Sequence, residues 1–121
     1  MKALITRAEP AASKTAALLL EAGHQAIKFP LFEIRDTGEA IPGNEFDGFV
    51  FTSGNACSIL RDRDWRPEAP EKPVFCVGEK TAEAAYNLGF RNVMFEQGGA
   101  AKLAPAIASA ALQNSNSRSL I

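Results

Sequence analysis

Small and hydroxyl-bearing residues recur where short apolar runs of this sequence end. Four turns have this character: Thr6-Arg7, Thr52 to Asn55, Gly78 to Thr81 and Gln97 to Ala100. Each turn leads into a segment with a helical pattern. The first turn of a helix has unpaired backbone N–H groups and a partial positive charge, which suit carboxylates or phosphates. The sequence therefore predicts anion-binding turns.

Helix capping explains the same side chains without any ligand. Ser53, Asn55 and Thr81 are all good helix-capping residues, because a short polar side chain can accept a hydrogen bond from a free N–H group of the first turn. Taken singly, capping accounts for each of them. Four such turns at strand ends favour anion binding for the set.

The residues alone indicate no nucleophile, metal site or acid–base pair. Cys57 and Cys76 lack Cys-x-x-Cys spacing, His24 is the single histidine, and no dinucleotide fingerprint or phosphate loop is present. We expect both cysteines to be small core residues rather than disulfide partners. No metal and no cofactor is expected.

Apolar runs alternate with helical patterns along the chain. The predicted strands are Ala3 to Thr6, Gln25 to Phe29 with Leu31 to Ile34, Phe46 to Thr52, Pro73 to Val77, and Asn92 to Phe95. The second of them is expected to be bent or interrupted at Pro30. The predicted helices are Glu9 to Gly23, Asn55 to Arg61, Glu79 to Leu88, and an alanine-rich helix after Gly99. Repeated βα units imply an α/β fold with a parallel sheet and helices on both faces.

Three positions need separate comment. A helix–glycine–strand unit occurs twice, at Gly23 and Gly89, where glycine is the expected left-handed cap. Pro105 marks either the start of the last helix or a kink in it. Trp65, in a charged loop, is expected to cover the edge of the core.

Composition limits the range of partners. The net charge is −1 and 46% of the residues are hydrophobic, so we expect a globular core and no polybasic surface for nucleic acid. No secretory signal is recognisable, and no stretch approaches the roughly 20 apolar residues that span a bilayer. We expect a cytoplasmic protein without a membrane partner.

The chain end resembles an interrupted element. Asn114 to Ser119 forms a polar stretch that we predict to be a connector, and Leu120-Ile121 looks like the start of a further strand. This pattern predicts a truncated chain. The polar segment Arg35 to Asn44, with two glycines and a proline, is a candidate domain boundary.

Over essentially its whole length the sequence resembles the uroporphyrinogen-III synthases. The matching segments, in family order, are LITRAEPAASKTAALLLEAGHQAIKFPLFEI, FDGFVFTSGNA, PVFCVGEKTAEAAYNLGF and VMFEQGGAAKLAPAI. The strongest signals within them are L-I-T-R, F-T-S-x-N-A and V-G-x-x-T-A. Gly54 and Pro105 depart from the family pattern.

The resemblance implies a monomeric enzyme with two α/β lobes, the first built from both chain ends. Residues 1–35 would begin the first lobe, and residues 36–121 would form an incomplete second lobe. An incomplete first lobe would expose strand edges near Leu4 and Ile27, which would favour association with another copy.

The resemblance also implies an activity. The family cyclises hydroxymethylbilane, a linear tetrapyrrole, to uroporphyrinogen III while inverting the last pyrrole ring. By residue-to-residue correspondence, the substrate-binding positions would be Thr6, Arg7, Ser53, Asn55, Gly78, Thr81 and Gly98. Thr81 matches a cleft threonine of the family. The tyrosine usually proposed as proton donor lies in the family's later half, so the catalytic residue is unknown.

Two other functions fit the pattern of βα repeats. One is a non-catalytic, flavodoxin-like module that binds small anions, although the phosphate loop of a flavodoxin and the acidic cluster of a receiver domain are missing from the sequence. The other is an inactive remnant of the enzyme.

Overall fold

The structure is a computed structural model that describes residues 1–42 and 46–119. Its elements in order are β1 (Lys2–Ile5), α1 (Ala11–Glu21), β2 (Gln25–Lys28), β3 (Phe49–Phe51), α2 (Gly54–Asp62), β4 (Pro73–Val77), α3 (Glu79–Leu88), β5 (Asn92–Glu96) and α4 (Ala100–Ser119). Every strand pair is parallel, which confirms the α/β class. The chain divides into a first unit, Met1–Glu39, and a second unit, Ala40–Ile121.

The first unit is a two-stranded sheet with one helix. Strands β1 and β2 pair in parallel, and α1 buries Ala12 in a small core that also contains Ile5. Leu4 and Ile27 are register partners and both are exposed, so one face of this sheet carries apolar side chains at the surface. Gly23, at φ +84°, ends α1 as predicted and leads into β2.

The second half of the predicted second strand is wrong. Strand β2 ends at Lys28, and residues 31–34 are not in a strand. The N–H groups of Phe29 and Leu31 still donate to carbonyls of the first unit, those of Ile5 (2.7 Å) and Thr6 (3.2 Å). Pro30 lies between them at a position whose N–H would face away from β1, so it removes no bond of this ladder. The regular pairing stops because β1 itself ends at Ile5.

The second unit has a three-stranded sheet in the order β3-β4-β5. Side chains of the central strand alternate between two layers of helices. Val74 and Cys76 lie in the core with residues of α2 and α3, whereas Phe75 lies near Ile107 of α4. The predicted arrangement of helices on both faces is therefore confirmed for this unit.

Aromatic rings fill one end of the core between the sheet and α3. Phe90 is fully buried, and its ring centroid lies 4.9 Å from that of Phe49, 5.9 Å from that of Phe51 and 6.0 Å from that of Trp65. Trp65 is half-buried and packs against this cluster. The expectation that Trp65 covers the edge of the core is confirmed.

Strand β3 is shorter than the predicted Phe46 to Thr52. It begins at Phe49, after a close approach between two backbones. A Cβ atom built on Gly48 would lie 2.8 Å from the carbonyl oxygen of Pro73. Only glycine fits there without a shift of the backbone, and residue 48 lies directly before the strand rather than in it.

The last helix corrects two expectations. It begins at Ala100, so Pro105 lies inside it and is not its start. It also continues through Ser119, so the predicted connector Asn114 to Ser119 is helical. Extending an existing helix requires no new nucleation, which allows residues of low helix propensity to follow. Leu120 and Ile121 lie outside the described residues.

Both cysteines are buried and free, as expected for core residues. Burial raises the pKa of the Cys57 thiol to about 11 and that of the Cys76 thiol to about 11, and the neighbouring Cys57 charge adds to the effect on Cys76. The folded state favours the neutral thiols. We therefore expect their contribution to the free energy of unfolding to be fully present below the ordinary pKa of 9.0 and to be lost as the pH rises towards about 11.

Unfolding by urea across this alkaline range measures the effect. The matched control is the double variant Cys57→Ala and Cys76→Ala, which keeps every other titrating group. If its stability falls with pH as steeply as that of the parent, the thiols are not the source of the pH dependence.

Candidate functional site

Three of the four turns identified from the sequence meet at one edge of the second unit. Since β3, β4 and β5 are parallel, they all end at the same edge of the sheet. The turns that follow lead directly into α2, α3 and α4. We call this the carboxyl edge, and it comprises Thr52 to Asn55, Gly78 to Thr81 and Gln97 to Ala100. Ligands of open parallel sheets commonly bind at such an edge.

Gly78 occupies the centre of the carboxyl edge. Its backbone has φ +82° and ψ 158°, a conformation that is essentially restricted to glycine. Its N–H group donates to the carbonyl of Glu96 (3.0 Å), and its carbonyl accepts from Ala82 (3.2 Å). Among the described residues, no side chain caps α3 at Gly78. The N–H groups of Glu79 to Thr81 precede the first intrahelical donor and can serve an anion.

Ser53 is the N-cap of α2. Its Oγ atom accepts a hydrogen bond from the backbone N–H of Asn55 at 3.3 Å. The capping explanation is therefore confirmed for Ser53. Asn55 is the donor in this bond rather than a cap, and its side chain is exposed.

Two substitutions at Ser53 separate capping from ligand binding. Ser53→Ala removes the acceptor and should lower the free energy of unfolding by about 1 kcal/mol. Ser53→Asp keeps an acceptor and should be nearly neutral, because aspartate is an equally good N-cap. Urea denaturation of both variants measures the difference. Equal stability of Ser53→Ala and the parent would mean that the cap contributes nothing.

Thr81 is not a cap. Because α3 begins at Glu79, directly after Gly78, Thr81 is its third residue. Its side chain is buried, with 7% of the residue exposed. The capping explanation is therefore wrong for Thr81, and its hydroxyl belongs to the buried side of the first turn of the helix.

Gly98 makes room for a lysine that the sequence reading missed. It has φ +98°, and a Cβ atom built on it would lie 3.3 Å from Cγ of Lys102. The lysine stem therefore lies against the glycine. The spacing of four residues across the start of a helix is the signal that could have identified Lys102.

Charges at the carboxyl edge are mixed. Lys80 and Lys102 are exposed there, but Glu79 and Glu96 are exposed there as well. The side chains therefore give little net charge, and the backbone N–H groups of the helix N-termini are the groups at this edge suited to an anion.

Thr6 and Arg7 lie in the first unit, directly after β1, and both are exposed. The Arg7 guanidinium donates to Oγ1 of Thr15 at 3.0 Å, so it is anchored to α1. This bond uses one of the five N–H donors of the guanidinium.

A polar network of the first unit was not anticipated from the sequence. The Lys28 ammonium donates to Oγ of Ser13 at 3.1 Å, and that hydroxyl donates to the Glu9 carboxylate at 2.5 Å. Lys28 also lies 3.9 Å from Glu9. Lys28 and Glu9 are each about half exposed, so water screens the network. It is suited to fixing the start of α1 rather than to activating a nucleophile.

The described residues contain neither a cluster of metal-ligating side chains nor a helix that could span a membrane. Residues 1–42 and 46–119 contain no group of three His, Cys, Asp or Glu side chains that could hold a metal ion. None of the helices in the described part of the chain is long and apolar enough to cross a membrane.

Comparison with known proteins gives one family. No curated protein matches the chain. Residues 13–121 match the family model described as uroporphyrinogen-III synthase HemD. This match covers all elements of the second unit, and most of α1 and all of β2 in the first. The chain therefore belongs to the uroporphyrinogen-III synthase family, whose enzymes act in tetrapyrrole biosynthesis.

Proposed function

We propose that the carboxyl edge of the second unit binds carboxylates of hydroxymethylbilane during its cyclisation to uroporphyrinogen III. The observation that carries this proposal is the convergence of three helix N-termini, with Gly78 at the centre and free N–H donors directly after it. The family membership of the chain supplies the substrate class.

The chemistry of the substrate fits such a surface. Each of its pyrroles carries an acetate and a propionate, so the linear tetrapyrrole is a polyanion. Backbone N–H groups at helix N-termini form charge-assisted hydrogen bonds with carboxylates. In this proposal Ser53, Asn55, Gly78 and Gly98 form the binding surface of the second unit, and the buried Thr81 contributes its backbone N–H group. Substrate binding by Thr6 and Arg7 of the first unit stays a prediction from the family resemblance.

Positioning of the substrate is the proposed source of the enzyme's rate enhancement. Loss of the terminal hydroxyl group turns the substrate into a reactive azafulvene, which closes spontaneously end to end. Inversion of the last ring requires the azafulvene to meet the substituted carbon of that ring, through a spiro intermediate. Holding the carboxylates in one arrangement favours that encounter, and well-oriented reactants need no strong nucleophile.

Isomer analysis of the product tests the reaction. The chain, and any longer product of the same coding region, would be incubated with freshly generated hydroxymethylbilane. After oxidation of the products, the porphyrin isomers would be separated by chromatography. We expect the III isomer above the level of a protein-free control from at least one of these proteins. If only the spontaneous I isomer forms in every case, the non-catalytic anion-binding module becomes the better description.

A charge substitution tests the site itself. Ser53→Asp keeps the cap but places a carboxylate beside the proposed binding surface, and it should lower kcat/KM about tenfold, corresponding to the loss of one charge-assisted hydrogen bond. The matched control is Asn87→Asp, which adds the same charge near the far end of α3. Equal losses in the two variants would contradict binding at the carboxyl edge.

A further inference from the structure

A cavity of the second unit lies away from the carboxyl edge. Its volume is about 800 Å³, within the usual range for small-molecule sites. It is lined by Phe49, the first residue of β3, by Lys72, which directly precedes β4, and by the loop that joins α2 to β4. It therefore lies at the amino ends of the strands, opposite the proposed tetrapyrrole surface.

Backbone contacts hold the wall of this cavity in place. The N–H of Trp65 donates to the carbonyl of Leu60 (3.0 Å), and the N–H of Arg91 donates to that of Pro70 (2.9 Å). A Cβ atom built on Gly89 would lie 3.3 Å from Cδ of Pro67, so the loop packs closely on the end of α3. A wall fixed in this way lowers the cost of ordering a site around a ligand.

Aromatic side chains form the apolar part of the cavity. Trp65, Phe49 and Phe46 all line it. The Trp65 ring is already positioned, with its centroid 6.2 Å from that of Phe49 and 6.0 Å from that of Phe90. Such a wall provides a surface on which another planar ring can stack or pack edge to face.

The charged part of the cavity favours an anion. Three cationic side chains line it against two acidic ones, Asp64 and Glu68, although the whole chain has a net charge of −1. Arg63, Glu68 and Lys72 have interactions of their own. Arg66 is anchored by a bond from Nη1 to the carbonyl of Trp65 at 2.8 Å. That bond uses one of five N–H donors of the guanidinium.

We propose that this cavity binds a small planar aromatic anion, with its ring against Trp65 and Phe49 and its charged group on Arg66. The anchored guanidinium and the aromatic ring line the same cavity, so one ligand can meet both. This site is separate from the tetrapyrrole surface and does not depend on the proposed function.

A pair of dyes that share one ring system tests the proposal. Anilinonaphthalene sulfonate carries the anionic group, and phenylnaphthylamine lacks it. Trp65 is the single tryptophan of the chain, so its selective excitation reports a nearby dye by energy transfer. We expect saturable binding of one sulfonate dye per chain with quenching of Trp65, and weaker binding of the neutral dye.

Charge-matched variants locate the binding. Arg66→Gln should raise the Kd of the sulfonate dye about tenfold, as expected for loss of one charge-assisted bond, and leave that of the neutral dye within about twofold. Arg61→Gln removes the same charge from an exposed arginine of α2 that does not line the cavity, and it should leave both Kd values unchanged. Circular dichroism would verify that both variants are folded.

Two results would overturn the proposal. If Arg66→Gln and Arg61→Gln weaken the sulfonate dye equally, the dye responds only to the overall charge. If both dyes bind equally well to the parent chain, or bind without saturation, apolar surface elsewhere is responsible and the cavity has no anion preference.

Discussion

Replacing Phe90 by alanine should lower the free energy of unfolding by about 3–5 kcal/mol, the usual effect of removing a buried phenylalanine ring. The ring is fully buried, and its centroid lies within 6.0 Å of those of Phe49, Phe51 and Trp65. Three neighbouring rings cannot all move into the space that it leaves, so the substitution creates a cavity. An effect of this size is a large fraction of the stability of a small domain.

Urea denaturation monitored by Trp65 fluorescence measures this change directly, because the tryptophan packs on the deleted ring. The matched control is Phe95→Ala, since Phe95 lies in β5 but is 44% exposed. Its loss should be about 1 kcal/mol or less, as expected for a surface position. If the two variants lose similar amounts, Phe90 is not the centre of the core.

The elements could be predicted where the local pattern agrees with the final packing. Pro73 to Val77 is apolar throughout and becomes the central strand, with Val74 and Cys76 fully buried. Gly23 and Gly89 both have positive φ and end α1 and α3 as predicted. In these segments the residue types alone specify the structure, because burial on both faces and a left-handed turn each demand particular side chains.

The misjudged segments depend on the elements beside them. Leu31 to Ile34 is apolar enough for a strand, but its partner strand β1 ends at Ile5. Asn114 to Ser119 has the composition of a loop, yet it extends a helix already formed before it. In both cases the neighbouring element decides the conformation, and local composition carries no information about that neighbour.

The candidate site was only partly accessible from the sequence. The three turns of the second unit could be placed together, since parallel strands end at one edge. The link between Lys28 and Glu9 could not, because it joins the end of β2 to the residues before α1. The cavity beside Trp65 likewise combines residues from a loop and from the starts of two strands. Such groupings arise from tertiary packing rather than from spacing along the chain.

Alanine at position 78 should reveal how far the carboxyl edge depends on glycine. Gly78 has φ +82° and ψ 158°, where an L-residue is strained by about 1–3 kcal/mol. We expect Gly78→Ala to lower the free energy of unfolding by about this amount, measured by urea denaturation. The added Cβ atom would meet only Oε1 of Gln97, at 4.0 Å, so the loss comes from backbone conformation and not from a clash.

Gly54→Ala is the matched control, with the opposite expected sign. Gly54 is the first residue of α2, and an added Cβ atom would make an ordinary contact of 3.8 Å with Cβ of Ala84. Alanine at an unstrained helical position reduces the freedom of the unfolded chain, so Gly54→Ala should be neutral or more stable by about 0.4–1 kcal/mol.

If Gly78→Ala relieves its strain by rotating the backbone, the bond to Glu96 breaks and the N–H groups of Glu79 to Thr81 turn away. Tetrapyrrole turnover should then fall in Gly78→Ala. Stability and turnover of Gly78→Ala equal to those of the parent chain would mean that the geometry at Gly78 is dispensable for the carboxyl edge.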